Sequence, residues 1–414
     1  MIVRVHPSRL NGEIHIPSSK SHFQRLLAAA MMAPGESELE YKGLSADVES
    51  FLHIIRQAGA EVLLATDRIQ VRGTRSLSGN NFSFGESGLA ARMLMPLLLL
   101  GEQKVRFEAR GSLLKRNQQG IVDALFPMGV QSDDFRGFFP FHLQGPLTPG
   151  QYSIDASKSS QLLSGLLFAL PLLSADSALN VTGLVSAPYV DMSVQVLADF
   201  GIVIKRDGNR FYLPGNQEYI AGKHAVEADW SSAASMAVAA RIAGRISLQG
   251  LNPQSLQADA RIQRLIPFRE EADSLWVEQA DNQAFQVDLH DAPDLFPVLS
   301  ALAVYSQGES VLLGTDRLLN KESNRKDAIL TEFARLGVNI RAEGNALRIL
   351  GGSKVKGGTV DAHQDHRMAM ALAVLGLRAE APVVVQGAES VQKSYPDFWN
   401  HLEQVGARLE RIEA

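Results

Sequence analysis

Polar and apolar positions along this chain follow a long repeat. A short polar opening, then a helix-length apolar run rich in small residues, occurs six times: "SSKSHFQRLLAAAMM", "GESGLAARMLMPLLLL", "SKSSQLLSGLLFALPLL", "DWSSAASMAVAARIAG", "DAPDLFPVLSALAVYSQG" and "DHRMAMALAVLGL". The copies begin near residues 18, 85, 157, 229, 291 and 365, a period of roughly 70. Runs apolar on every side read as buried helices. Between them the pattern predicts a second, amphipathic helix, with apolar residues at three- and four-residue steps and often a glycine stop. The clearest are "DVESFLHIIRQAGAEV", "GIVDALFPMGVQ", "YVDMSVQVLADFGIVI", "RKDAILTEFARLGVNI" and "PDFWNHLEQVGARL", with "ADARIQRLIPF" a degraded sixth. Linking stretches such as "EVLLATDRIQVRG" read as short strands and turns, so each unit is an α/β module. Six modules are too many for one core; three per domain is the natural division, with a boundary near 220–228.

Composition narrows the classes of function. With 414 residues, 45% hydrophobic, 21% charged and a net charge of -5, the chain has neither the basic balance of a nucleic-acid binder nor the makeup of a disordered tail. Any basic site must be a local concentration of charge. The absence of cysteine excludes disulfides, thiolate metal sites and a cysteine nucleophile, and agrees with a reducing compartment. The opening "MIVRVHPSRL" lacks the layout of a signal peptide, and "MLMPLLLL" and "LLSGLLFALPLL" are too short to span a bilayer. A cytoplasmic protein with no membrane partner is expected.

The polar helix openings carry candidate chemistry. Ser and Asp there could simply cap orphan amides. Capping does not explain Lys20 with Arg25, Arg92 and Arg367, because cations in the first turns oppose the helix dipole. Helix N-termini joined to cations make anion sites, and His366 beside Arg367 reads as a ligand contact. Further charge falls at Arg116, Lys321, Glu322, Arg325 and Lys393, and hydroxyl or amide donors at Ser159, Ser160, Gln161, Ser186 and Tyr189. Together they describe a pocket for multiply anionic small molecules, with phosphates and carboxylates as the obvious guests. A metal is the competing reading, since "DAHQDH" holds Asp361, His363, Asp365 and His366, and "DLHDAPD" holds Asp288, His290, Asp291 and Asp294. Their spacing matches no standard ligand pattern, and Arg367 abuts the first cluster.

"PSSKSHFQR", "SKSSQ", "SAPYVD", "DAPD", "NKESNR", "DHRMAMAL" and "KSYPDF" stand in the order and spacing of a known family. By these motifs the chain resembles the enolpyruvyl transferases over nearly its whole length, most closely the 3-phosphoshikimate 1-carboxyvinyltransferase (EPSP synthase) branch. The resemblance implies a two-domain inside-out α/β barrel, each domain three βαβαββ repeats, with the active site in the interdomain cleft. It implies that residues 1–17 plus 226–414 form the domain with the N-terminal strand and repeats 4–6, and residues 18–225 the domain with repeats 1–3. The implied reaction moves the enolpyruvyl group of phosphoenolpyruvate onto the 5-hydroxyl of shikimate 3-phosphate, with no metal and no cofactor; a monomer that binds no nucleic acid is expected. By motif match Lys20, Gly88, Arg116, Gln161 and Lys393 would hold the phosphate of phosphoenolpyruvate, and Arg325 and Arg367 its carboxylate. Ser21, Arg25, Ser159, Ser160, Ser186 and Tyr189 would bind shikimate 3-phosphate, with Asp294 and Lys321 near its ring hydroxyls. Asp294, Glu322 and Lys20 are the candidate catalytic residues.

The chain also departs from the family. Where the family reads Asn-Ala-Gly-Thr-Ala-Met-Arg, Glu86 stands for the Asn and Leu89 for the Thr; Arg317 replaces a common Asn and Asn117 a proline. A carboxylate at 86 is expected to repel an anionic substrate unless a cation such as Arg92 pairs with it. Three alternatives remain at this point: transfer of the same group to UDP-N-acetylglucosamine, disfavoured by the missing cysteine; a metal-dependent phosphohydrolase built on "DAHQDH"; and a non-catalytic sensor of phosphorylated metabolites, disfavoured by Asp294 and Glu322 beside Lys20.

Overall fold

The computed structural model describes residues 1–272, 274–319, 321–352 and 354–412. All six apolar runs contain helices: Lys20–Met32, Gly88–Leu98, Gln161–Ala169, Trp230–Ala243, Phe296–Val304 and His366–Gly376. The last is buried at all eleven positions, from His366 to Gly376. Their small residues are what permit this. A β-carbon on Gly165 would lie 2.7 Å from the backbone oxygens of Arg92 and Met93, so helix Gln161–Ala169 lies against helix Gly88–Leu98 nearly backbone to backbone. Any larger residue at 165 would force them apart. Around these helices Phe23, Phe82, Phe84, Phe107, Phe141 and Phe168 are at most 1% exposed, each contributing about 1.5–3 kcal/mol by burial.

Five amphipathic stretches form the helices Ala46–Gln57, Gln119–Leu125, Ala187–Asp199, Arg325–Arg335 and Phe398–Gln404. The degraded sixth is a 3-10 helix, Ala258–Arg264. Glycine stops operate as the sequence suggests: Gly201 and Gly337 have φ of +81° and +83°, a region that costs other residues about 1 kcal/mol or more.

The chain divides into two compact units, unit 1 comprising Met1–Ser19 with Glu227–Ala414, and unit 2 comprising Lys20–Val226. The module is plainest in unit 2. Strand Gln151–Asp155, helix Gln161–Ala169, strand Ser177–Thr182, helix Ala187–Asp199 and strands Lys205–Asp207 and Arg210–Leu213 form a βαβαββ unit. Ser177–Thr182 pairs parallel with the first strand and antiparallel with Arg210–Leu213. Among the described residues unit 2 has three sheets, and unit 1 three four-stranded sheets plus a two-stranded one.

Strands distant in sequence complete these sheets. In unit 1, Ile2–Val5 sits between Val383–Gln386 and Leu409–Ile412, antiparallel to both, and Leu10–His15 runs parallel to Gly244–Gln249. In unit 2, Lys223–Ala225 runs parallel to Gly35–Glu40. The mixed α/β class expected from the repeats is what the structure has.

Candidate active site

In unit 2 the polar side chains gather at the starts of the buried helices. Lys20, the first residue of its helix, donates to Asp47 Oδ2 at 2.9 Å. Gln24, one turn on and fully buried, donates to the Asp47 carbonyl at 3.0 Å and to Ser87 Oγ at 3.2 Å. Ser87 is the N-cap of helix Gly88–Leu98 and accepts from the Ala90 amide. A β-carbon on Gly88 would lie 3.0 Å from Arg116 Nη1 and 3.2 Å from Arg92 Nη1; glycine is what lets two guanidinium groups reach this helix start. Arg92 Nη1 also donates to Gln161 Oε1 at 2.7 Å. The structure thus brings Lys20, Gly88, Arg116 and Gln161 together through Asp47, Gln24, Ser87 and Arg92. Helix amides plus cations form an anion cradle.

A second group surrounds Arg25, whose side chain is buried. Its Nε donates to Ser193 Oγ at 2.8 Å, Nη1 to the Ser21 carbonyl at 2.7 Å, and Nη2 to the Tyr189 carbonyl at 3.1 Å and Ser164 Oγ at 3.4 Å. Its Cζ lies 5.9 Å from the Tyr189 ring centroid. Burial pushes this guanidinium down to about 10, because a cation in a low dielectric surrounded by neutral oxygens loses hydration it does not recover. Ser160, buried, offers its carbonyl to the Ser164 amide. Ser159 Oγ accepts from the Gln161 amide at 3.2 Å. Ser186, at the N-cap of helix Ala187–Asp199, has φ +54° and ψ 41°, a strained setting of the kind found at ligand sites.

Unit 1 holds a denser network. Arg325 begins helix Arg325–Arg335 and is fully buried. Its Nε donates to Asp365 Oδ2 at 2.7 Å and its Nη1 to Asp294 Oδ1 at 2.7 Å. Nη2 donates to Glu322 Oε2 at 2.7 Å and to Asp365 Oδ1 at 3.2 Å. Lys321 Nζ reaches Asp294 Oδ1 at 3.2 Å, and Arg367 Nη2 lies 3.7 Å from Asp294 Oδ2. Burial would raise the Asp294 carboxyl, yet Lys321, Arg325 and Arg367 hold it well below its ordinary range. Burial likewise opposes the charge on Arg325, but Asp365, Glu322 and Asp294 raise it well above the usual value. Lys321 is lowered by burial despite Asp294. Arg367, buried among Asp294, Asp229 and Asp259, is raised.

These positions revise several expectations. Arg325, expected to grip a substrate carboxylate, has every nitrogen on carboxylates of this chain. The "NKESNR" stretch is anchored through Arg325; its Asn320 lies outside the described residues. His366 is 1% exposed because it opens a wholly buried helix. Glu86 accepts from the Ser112 amide at 3.0 Å, which gives this carboxylate a capping use. Arg317 donates to the His290 carbonyl at 3.2 Å. Lys393 Nζ donates to the Gln364 carbonyl at 3.1 Å. In "DAHQDH", Asp361 accepts from the His363 amide, His363 meets Glu332, and Asp365 caps the helix and binds Arg325. Among the described residues no three such side chains converge as metal ligands.

Sequence reasoning missed several partners. Asp47, Ser164, Ser193, Asp259 and Glu332 are single polar residues inside otherwise amphipathic or apolar stretches, and no local pattern marks them. Asp365 and Asp229 carried a signal as N-caps. Asp259 is fully buried, accepts from Ser231 Oγ through one oxygen and has no partner for Oδ1. Burial first, and then Asp294, push its carboxyl up to about 6, with Arg367 and Ser231 opposing and Asp229 adding to the rise.

Fold and side chains define an α/β protein of two units built from repeats, with cations at buried helix starts and carboxylates beside them. The family model for EPSP synthase (3-phosphoshikimate 1-carboxyvinyltransferase) matches residues 5–402. The 3-phosphoshikimate 1-carboxyvinyltransferase of Aeropyrum pernix is 36% identical over 418 residues, spanning 99% of this chain and 97% of that one. That of Clostridium acetobutylicum is 34% identical over 415 residues, spanning 98% and 97%. In fold, the chain is similar to the solved EPSP synthase of Acinetobacter baumannii, with a TM-score of 0.82 at 23% identity over 99% of this chain and 100% of that one. This chain belongs to the EPSP synthase family.

Proposed function

We propose that the chain transfers the enolpyruvyl group of phosphoenolpyruvate to the 5-hydroxyl of shikimate 3-phosphate, releasing phosphate. The observation that carries the assignment to these residues is the Asp294 cluster, in which two carboxylates, Asp294 and Glu322, stand hydrogen-bonded among Lys321 and Arg325. A site that only bound anions would gain nothing from carboxylates there. The chemistry needs a proton delivered to the methylene carbon of phosphoenolpyruvate, attack of the hydroxyl on the adjoining carbon with loss of the hydroxyl proton, and loss of a proton from the methyl group so formed as phosphate leaves. Each step needs a proton carrier beside fixed positive charge.

In this reading Lys20, Gly88, Arg116, Gln161 and Lys393 hold the phosphate of phosphoenolpyruvate and Arg367 its carboxylate. Arg325 acts on that carboxylate only if it releases one of its present partners; otherwise it fixes Asp294 and Glu322 in place. Ser21, Arg25, Ser159, Ser160, Ser186 and Tyr189 receive shikimate 3-phosphate, with Lys321 near its hydroxyls. Asp294, held ionised by its cations, accepts the 5-hydroxyl proton; Glu322 and Lys20 serve the methylene carbon. A cytoplasmic monomer fits this reading, and no helix among the described residues is long and apolar enough to cross a membrane.

The test is direct. Purified protein is mixed with both substrates and a chelator, and phosphate and enolpyruvyl ether are followed together. Equal amounts of both, dependent on both substrates, support the proposal. Phosphate without ether means hydrolysis, and neither product means the assignment is wrong.

A further inference from the structure

Glu332 has no role in the reading above, yet its carboxylate is fully buried and fully engaged. It lies seven residues after Arg325 on helix Arg325–Arg335, two turns along the same face. The two residues grip opposite ends of one loop. Arg325 holds Asp365. Glu332 Oε2 accepts from the Asp361 amide at 3.1 Å and Oε1 meets His363 Nε2 at 2.8 Å, while Arg335 Nη1 donates to both oxygens at 3.0 and 2.9 Å.

The loop between these grips is costly to form. His363 and Gln364 are both left-handed, with φ of +53° and +55°, a conformation that costs side-chain-bearing residues about 1–2 kcal/mol each. Such a pair persists only where its surroundings over-determine it. Its shape aims the Gln364 carbonyl at Lys393 Nζ, 3.1 Å away. Immediately after it Asp365 caps the helix that carries Arg367, accepting from the Arg367 amide at 2.9 Å.

We propose that Glu332 is a positioning residue for the reaction: it clamps the 361–365 loop in its left-handed shape and thereby sets Lys393 and Arg367 for the phosphoenolpyruvate end of the site. This rests on the roles given above to Lys393 and Arg367. Glu332 itself is enclosed by Arg335, His363 and the Asp361 amide, which occupy both its oxygens.

Two variants of the full chain test the clamp. Glu332→Gln keeps the shape and removes the charge. His363→Asn removes one grip at an exposed side chain while keeping a residue that tolerates φ above zero. In the absence of substrate, amide hydrogen exchange across 358–367 should quicken by about tenfold in Glu332→Gln and by less in His363→Asn. In steady state, KM for phosphoenolpyruvate should rise about tenfold in Glu332→Gln and about threefold in His363→Asn, with KM for shikimate 3-phosphate within about twofold of wild type.

Unchanged exchange in both variants would overturn the clamp. A lowered melting temperature with both KM values in place would reduce Glu332 to a structural acid and overturn the positioning role. Should Glu332→Gln fail to fold, His363→Asn decides alone, and an unmoved KM for phosphoenolpyruvate overturns the proposal. If wild type makes no enolpyruvyl ether, the assigned reaction fails, while the exchange measurement still decides the clamp.

Discussion

Arg25 in unit 2 and Arg325 in unit 1 are both buried arginines, 2% and 0% exposed, in opposite surroundings. Arg25 meets serine hydroxyls and backbone carbonyls, and burial pushes it down to about 10. Arg325 meets Asp294, Glu322 and Asp365, and those carboxylates raise it well above its ordinary value. A buried cation among neutral dipoles keeps an uncompensated field, which a ligand anion can satisfy. A buried cation saturated by carboxylates has its field spent, and what it contributes is the fixed geometry of the acids around it. In the reading proposed above, this contrast gives anion capture to Arg25 and the ordering of Asp294 and Glu322 to Arg325.

The largest effect expected from this contrast falls on chemistry. Asp294→Asn removes the proposed proton acceptor while keeping its shape, and kcat should fall about 10²–10⁴-fold. Binding of shikimate 3-phosphate by titration calorimetry should change far less. Next comes stability. Arg325→Met leaves Asp294, Glu322 and Asp365 without the cation they share, at about 3–5 kcal/mol, and denaturant melts should show an earlier midpoint with an unchanged slope.

A smaller, pH-dependent effect sharpens the picture within unit 1. Asp259 has a folded-state value near 6, above the ordinary carboxyl value of about 4. Its contribution to stability is therefore fully present below about 4 and is lost as pH rises through about 6. Asn mimics the protonated form, so Asp259→Asn should melt close to wild type only below about pH 4 and be more stable at pH 7.5, by about 2–3 kcal/mol. Asp294, depressed, runs the other way: its contribution is present at neutral pH and is lost only on strong acidification. The smallest effect is at Ser186, where glycine would relieve the +54° φ and gain at most about 1 kcal/mol in a thermal melt, while weakening shikimate 3-phosphate binding through the lost hydroxyl.

How much of this was legible in the sequence depends on how local each signal is. The six buried helices and their polar starts could be read because burial and capping leave a pattern within fifteen residues. Lys20, Gly88 and Gln161 begin such helices and Arg116 precedes an amphipathic one, and the structure joins them. The placement of Leu10–His15 beside Gly244–Gln249 has no local signature, since nothing in a strand's own residues says which distant strand it will pair with. Ser164, Ser193 and Glu332 were invisible for the same reason. Their polarity has meaning only through what a different repeat brings against it. Arg325 shows the converse: its cationic start was legible, but the carboxylate cage that occupies it was not, because Asp294 and Asp365 come from two other stretches of chain.

The most direct measurement of the contrast is calorimetric titration of shikimate 3-phosphate into wild type and Arg25→Met, with melting temperatures taken alongside. The account predicts that the affinity falls about a hundredfold or more while the melting temperature holds or rises, because a buried cation with only neutral partners serves a ligand and not the fold. An unchanged affinity, or a melting temperature that collapses as that of Arg325→Met should, would contradict it.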